Sequence, residues 1–261
     1  MIFFNDFQKA RFGNQLFFVA GTIGIALKNN TTYSFGSQMG HGGVDYSVIF
    51  ENQLPISNQT FDDVYHQNGF NYTDVFLTKD TEIKGYFQSE KFFKHCESEI
   101  KKQFKFKESV VDEVIKEYPT IKNSASIHIR RGDYLNQLDY HPTINLNYYQ
   151  KFISDHTLDC EHVYVFSDDV EWCKNVFIGD RFIFPNFNKK NDLYSFVLLS
   201  QSKKIAISNS TYSWWASWLN QNKNKQIYCF PHNKWFGKMY SNLNTEDVLP
   251  IEWNVIEYDE S

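Results

Sequence analysis

The chain has 261 residues, enough for one large domain or two modest ones, each able to bury a core. Hydrophobic residues make up 42% and charged residues 22%, with a net charge of -5, which fits a globular protein and argues against general nucleic-acid binding, since that needs a basic field. An anion site on such a chain must be a local basic spot. Cys96, Cys160, Cys173 and Cys229 form no CxxC pair, and reduced thiols are expected rather than a disulfide scaffold or a zinc site. Met1 to Phe4 is too short for the apolar region of a signal peptide and lacks a basic flank. The apolar run Leu16 to Leu27 suits a buried helix better than a membrane span. These features predict a soluble, cytoplasmic protein.

In chain order, Ile2 to Asn5 reads as a first strand, followed by a polar turn, KARFGNQ, and an apolar helix from about Leu16. Thr32 to Phe35 is a second strand. Gly36 to Asn71 reads as loops and short irregular elements, the kind of segment that often carries specificity. Glu82 to Phe87 is a strand, and Ser89 to Phe104 a helix with Ser89 as its N-cap. Ser109 to Tyr118 is amphipathic and closes at Pro119, which puts a domain boundary near Pro119 to Ser124 and divides the chain into residues 1–120 and 121–261.

In the second part, Ser126 to Tyr134 (SIHIRRGDY) packs a strand, two arginines, a glycine and an aspartate together, with Ile127 and Ile129 alternating as on one buried face. A loop, the helix Asn147 to Asp155, the strand His162 to Phe166 and a helix from Val170 follow. Then come a short strand Arg181 to Phe184, the helix Asp192 to Ser200, the strand Lys204 to Ile207, the helix Tyr212 to Leu219 and the strand Gln226 to Phe230. Strands alternating with helices predict an α/β class with a parallel, doubly wound sheet.

In such sheets ligands bind beyond the carboxyl ends of strands. His128, Arg130, Arg131 and Asp133 sit there, and a guanidinium can grip two phosphate oxygens at once, so this stretch reads as the floor of a site for a phosphorylated ligand. Three further turns are candidates. Arg11, Phe12, Gly13, Asn14 and Gln15 combine a glycine that lets backbone approach a ligand with two amide side chains. The Asp168-Asp169 pair could accept hydrogen bonds from a ribose or a base, ligate a metal, or cap the next helix. Ser208, Asn209, Ser210 and Thr211 offer hydroxyls and free N–H groups at a helix start. Trp214 and Trp218, four apart on that helix, read as core that fixes the turn. Walker and GxGxxG phosphate loops are both absent.

Together with GYFQSEKFF from Gly85 to Phe93 and FSDD from Phe166 to Asp169, these segments in this order resemble the α-1,2-fucosyltransferases of glycosyltransferase family 11. More distantly the chain resembles α-1,6- and protein O-fucosyltransferases. The resemblance implies a GT-B-like fold, two Rossmann-like domains with parallel sheets facing across a cleft. The first would be the acceptor side and the second would hold GDP-fucose.

The implied reaction moves L-fucose from GDP-fucose to the 2-hydroxyl of a β-galactoside-terminated glycan, with inversion, no cofactor and no required metal. By the same resemblance His128 and Asp168 would recognise guanine, with Asp169 as the alternative, and Asn14 would lie near sugar and phosphate. Arg130, with Arg131 in support, would meet the charge that builds on the β-phosphate, and Ser210 and Thr211 would complete the clamp. Glu90 and Asp133 are the candidate bases. Ala10 stands where the family usually has glycine, and Phe17-Phe18-Val19 replaces an FQY-like sequence, departures that bear on the acceptor more than the donor. A bacterial or viral enzyme acting on a soluble or lipid-linked glycan is the expected setting, the latter bringing it to a membrane surface.

Overall fold

The computed structural model describes residues 1–187 and 191–259. The chain divides into two compact units, residues 1–107 with 243–250, and residues 108–242 with 251–261. The division falls earlier than the proline at 119 suggests. The helix Glu108–Glu117 buries Val110 and Val114 and packs on a helix of the second unit, where Tyr194 Oη donates to Glu113 Oε2 at 3.4 Å. Residues 243–250 return to the first unit, held by Asp247, which accepts from the Tyr72 amide at 3.1 Å and pairs with Lys91.

The first unit contains β1 (Ile2–Phe4), α1 (Phe12–Lys28), β2 (Tyr33–Phe35), the short hairpin β3 (Gly40–His41) and β4 (Val44–Asp45), β5 (Val64–His66), β6 (Thr81–Lys84) and α2 (Glu97–Gln103). Its parallel sheet runs β2-β1-β6-β5. Every residue of α1 from Gln15 to Ala26 is buried, as befits a helix that is apolar almost all round. The helix begins at Phe12, four residues before the apolar run, so Gly13, Asn14 and Gln15 form its first turn and not a loop. The buried Gln15 amide is fully engaged. It donates to the carbonyls of Phe7, Ala10 and Gly40 at 2.9, 2.8 and 2.9 Å and accepts from the Gly40 amide at 2.9 Å, which ties the strand exit to the hairpin.

Two other expectations change in this unit. The strand expected over Glu82 to Phe87 stops at Lys84, because Gln67 Oε1 takes the Tyr86 and Phe87 amides at 2.9 and 2.8 Å. The helix expected over Ser89 to Phe104 is broken into 3₁₀ turns at Glu90–Phe92 and Lys94–Cys96 before α2, since Phe92 and Phe93 turn inward to the core. Ser89 does cap the first turn, its Oγ accepting from the Lys91 amide at 3.3 Å.

The second unit contains α3 (Glu108–Glu117), β7 (Ala125–Ile129), α4 (Leu146–His156), β8 (Val163–Ser167), α5 (Val170–Val176), β9 (Phe182–Ile183), α6 (Asn191–Leu199), β10 (Lys204–Ala206), α7 (Thr211–Trp218), β11 (Gln226–Cys229) and β12 (Asn254–Val255). Its strands are all parallel in the order β12-β11-β10-β7-β8-β9. Counted from β7 this is the Rossmann order 3-2-1-4-5-6, and the chain reverses direction across the sheet between β7 and β10. All five residues of β7 are buried, not one face only, because the strand is central and covered on both sides. Trp214, Trp215 and Trp218 are buried too, with Trp214 stacked on Trp218 at 6.4 Å, so they are core as expected.

In α1, a methyl added at Gly24 would lie 2.1 Å from the Phe92 carbonyl oxygen, a backbone atom that cannot step aside. Gly24→Ala gains about 1 kcal/mol in helix propensity but loses roughly 1–3 kcal/mol to overpacking. Urea unfolding is expected to show a net loss of stability, and a net gain equal to the propensity term would contradict this packing.

Candidate functional site

The reversal between β7 and β10 leaves a crevice at the carboxyl ends of the strands, and the second unit's candidate residues collect there. Arg130 leaves β7 and pairs with Asp133 at 2.7 Å and with Asp168, at the end of β8, at 3.0 Å. Asp168 also accepts from the Arg131 amide at 2.9 Å. It is a buttress for the arginine as well as a lining group. Gly132 makes room for it, since a Cβ there would stand 2.5 Å from Asp168 Oδ2. The Arg130 guanidinium further lies 5.4 Å from the centroid of Tyr134, whose hydroxyl donates to the Asn209 carbonyl at 3.1 Å.

Arg131 turns elsewhere. Its guanidinium lies 4.0 Å from the Trp172 ring centroid, and Nε pairs with Asp169 at 3.2 Å. Asp169 in turn caps α5 by accepting from the Trp172 amide at 3.3 Å. These ion pairs tie both arginines to aspartates, so the expected basic spot is a held guanidinium rather than a bare positive patch.

His128 is 6% exposed, and its Nδ1 lies 2.7 Å from Ser208 Oγ, bridging β7 to the turn after β10. Tyr212 stacks on its ring at 5.2 Å. Burial, with the nearby Arg130 charge, lowers its pKa from 6.5 to about 3, so the ring is neutral at physiological pH. Of the remaining turn, Asn209 donates from Nδ2 to the carbonyls of Pro142 and Trp235 at 2.8 and 3.2 Å and so ties loops together. Ser210 is the extended N-cap residue of α7 and Thr211 its first residue.

A cavity of about 110 Å³ opens here, lined among others by His128, Arg130, Asp168, Asp192, Ser195 and Tyr212. That is below the ~300 Å³ at which whole-ligand pockets begin, and it suits one part of a ligand, such as a planar ring. Asp192, Ser195 and Tyr212 are absent from the sequence-based set. Tyr212 follows the candidate turn directly and could have been included, but nothing local marks Asp192 and Ser195, which α6 brings in through the fold.

In the first unit the switch between β1 and β6 gathers a second polar group. Arg11 is the extended residue before α1, Phe12 and Gly13 are buried in its first turn, and Asn14 Oδ1 accepts from Gln88 Nε2 at 2.9 Å. Glu90 is buried and pairs with Lys94 at 3.1 Å. Among the described residues no group of three or more His, Cys, Asp or Glu side chains is placed to hold a metal ion, and no helix is long and apolar enough to cross a membrane.

Residues 49–257 match the model of glycosyl transferase family 11, a span that includes the Arg130 stretch and begins after Arg11 to Gln15. The chain belongs to glycosyltransferase family 11. It is similar to the O-antigen biosynthesis glycosyltransferase WbnK of Escherichia coli, 36% identical over 141 residues covering 49% of this chain and 45% of the relative. An Escherichia coli α-1,2-colitosyltransferase is 31% identical over 189 residues, 67% and 62% of the two chains. A galactoside 2-α-L-fucosyltransferase of Caenorhabditis elegans is 28% identical over 155 residues, 55% and 43%. The matched segments thus span about half the length of these relatives.

Among solved structures, the α-1,6-fucosyltransferase NodZ soaked with GDP-fucose aligns with a TM-score of 0.56 at 13% identity, covering 89% of this chain and 96% of that one. POFUT1 in complex with GDP aligns at 0.50 and 11% identity, covering 87% and 96%. At such identities the likeness concerns the fold, which is α/β and GT-B-like.

The neutral His128 predicts a pH signature. Its folded pKa lies below its unfolded one, so the unfolded chain binds the extra proton and stability falls as pH drops below 6.5 towards 3. Between pH 7 and pH 5, wild type is expected to lose about 2 kcal/mol more than His128→Gln in urea unfolding. Identical losses in the two proteins would remove the buried neutral histidine from the account.

Proposed function

We propose that the chain is an inverting, metal-independent fucosyltransferase that moves L-fucose from GDP-fucose to the 2-hydroxyl of a β-galactoside. The observation that carries this reading is the Arg130 guanidinium, held by Asp133 and Asp168 beside a ring-sized cavity at the sheet's switch point. A diphosphate leaving group gains negative charge as the glycosidic bond breaks, and fixed donors that meet that charge lower the barrier. Asp133 is the more exposed of the two carboxylates, and in this reading it yields its place on Arg130 when the diphosphate arrives. Ser210 and Thr211 at the start of α7 supply further donors.

Guanine suits the cavity's chemistry. Its N–H edge offers donors, and Asp168 and Asp192 are carboxylate acceptors on the lining, while His128 and Tyr212 supply flat, uncharged faces. Asp133 is engaged by Arg130 and Glu90 by Lys94, so whichever acts as base must first exchange that partner. Asn14 is proposed to contact the sugar. The similarity to a colitosyltransferase favours one second reading, transfer of colitose rather than fucose at the same site. A lipid-linked acceptor in the cytoplasm is the setting proposed for either.

The test is GDP release from GDP-fucose with and without lactose in EDTA, with the product weighed by mass spectrometry. Lactose-stimulated release with a fucosylated product is expected, and Arg130→Ala should lower turnover roughly 10²- to 10³-fold while remaining folded. Near-normal turnover in folded Arg130→Ala would sink the phosphate assignment, and preference for the colitose donor would select the second reading.

A further inference from the structure

Beyond β6 the backbone takes a conformation that bulky residues rarely adopt. Phe87 has φ +50° with its side chain fully buried, and the surroundings impose this: Gln67 Oε1 grips the Tyr86 and Phe87 amides, and the Phe92 ring meets Phe87 edge-on at 5.4 Å. Strain of this kind persists where the structure over-determines it, and such positions cluster at ligand sites. The turn delivers Gln88 to the first turn of α1.

Gln88 is 5% exposed. Its Nε2 donates to Asn14 Oδ1 at 2.9 Å, which fixes the Asn14 amide and leaves Nδ2 as that amide's donor. Gln88 Oε1, in the same carboxamide, is buried and accepts no hydrogen bond from the described residues. A buried carbonyl oxygen calls for a donor. A fully ionised anion has no hydrogen to donate, whereas a hydroxyl can donate a hydrogen bond to Gln88 Oε1 and accept one from a neighbouring amide.

We propose that Gln88 reads a sugar hydroxyl, with Nε2 orienting Asn14 and Oε1 accepting from the hydroxyl of a bound sugar. This rests on the glycosyltransferase reading, and the hydroxyl belongs to either the transferred sugar or the acceptor. A site built to bond a hydroxyl rejects the analogue lacking it far more strongly than a merely apolar pocket rejects a shape change.

The experiment measures kcat/KM for GDP-fucose against its monodeoxy analogues, and for lactose against its monodeoxy analogues, in wild type and in Gln88→Met, with thermal melting as the check on folding. Wild type is expected to reject one deoxy compound by roughly a hundredfold or more. Gln88→Met should shrink that one rejection at least tenfold and leave the others unchanged. The arm in which this occurs identifies donor or acceptor as the source. If wild type rejects none of the analogues, or folded Gln88→Met keeps the full rejection, the inference is overturned whatever the variant's overall rate. Absence of GDP-fucose binding to wild type, read by calorimetry, overturns the donor reading itself.

Discussion

The candidate site depends on one arrangement, a guanidinium held between two carboxylates at the point where a parallel sheet reverses. Arg130 would otherwise be a flexible side chain on an acidic protein, free to pair anywhere. Asp168 comes from the neighbouring strand end and Asp133 from the next turn, so the arginine is fixed from two directions. The order this imposes before any ligand arrives is what a charge-stabilising group needs. Gly132 is part of the same device, because its missing side chain is the space that Asp168 fills.

The fold creates the opportunity and the turn residues use it. In the second unit β7 and β10 lie side by side, and His128 and Ser208 close the gap between their ends. In the first unit β1 and β6 lie side by side, and Asn14 and Gln88 do the corresponding work with neutral amides. The charged group suits a phosphate and the neutral one a hydroxyl, a division that follows from side-chain chemistry alone.

Much of this was legible in the sequence. The strands ending at Ile129, Ser167 and Ala206 are short, largely apolar runs followed by polar turns, and such runs survive because central parallel strands are buried on both faces. The edge strands β5 and β12 were not legible, being two or three residues long with little buried surface to impose a pattern. The early start of α1 was hidden by Asn14 and Gln15, polar residues whose partners lie on other segments. Side-chain engagement was hidden for the same reason. Arg131 and Arg130 are adjacent and alike in sequence, yet one lies on Trp172 and the other beside the cavity.

The most direct measurement is calorimetric binding of GDP and GMP to wild type and to Arg130→Lys, which keeps the charge but not the fork of donors. Wild type is expected to bind GDP at least roughly tenfold more tightly than GMP, and most of this margin is expected to be lost in Arg130→Lys. Equal affinity for the two nucleotides in wild type, or a margin that survives the substitution, would contradict the claim that Arg130 meets the terminal phosphate.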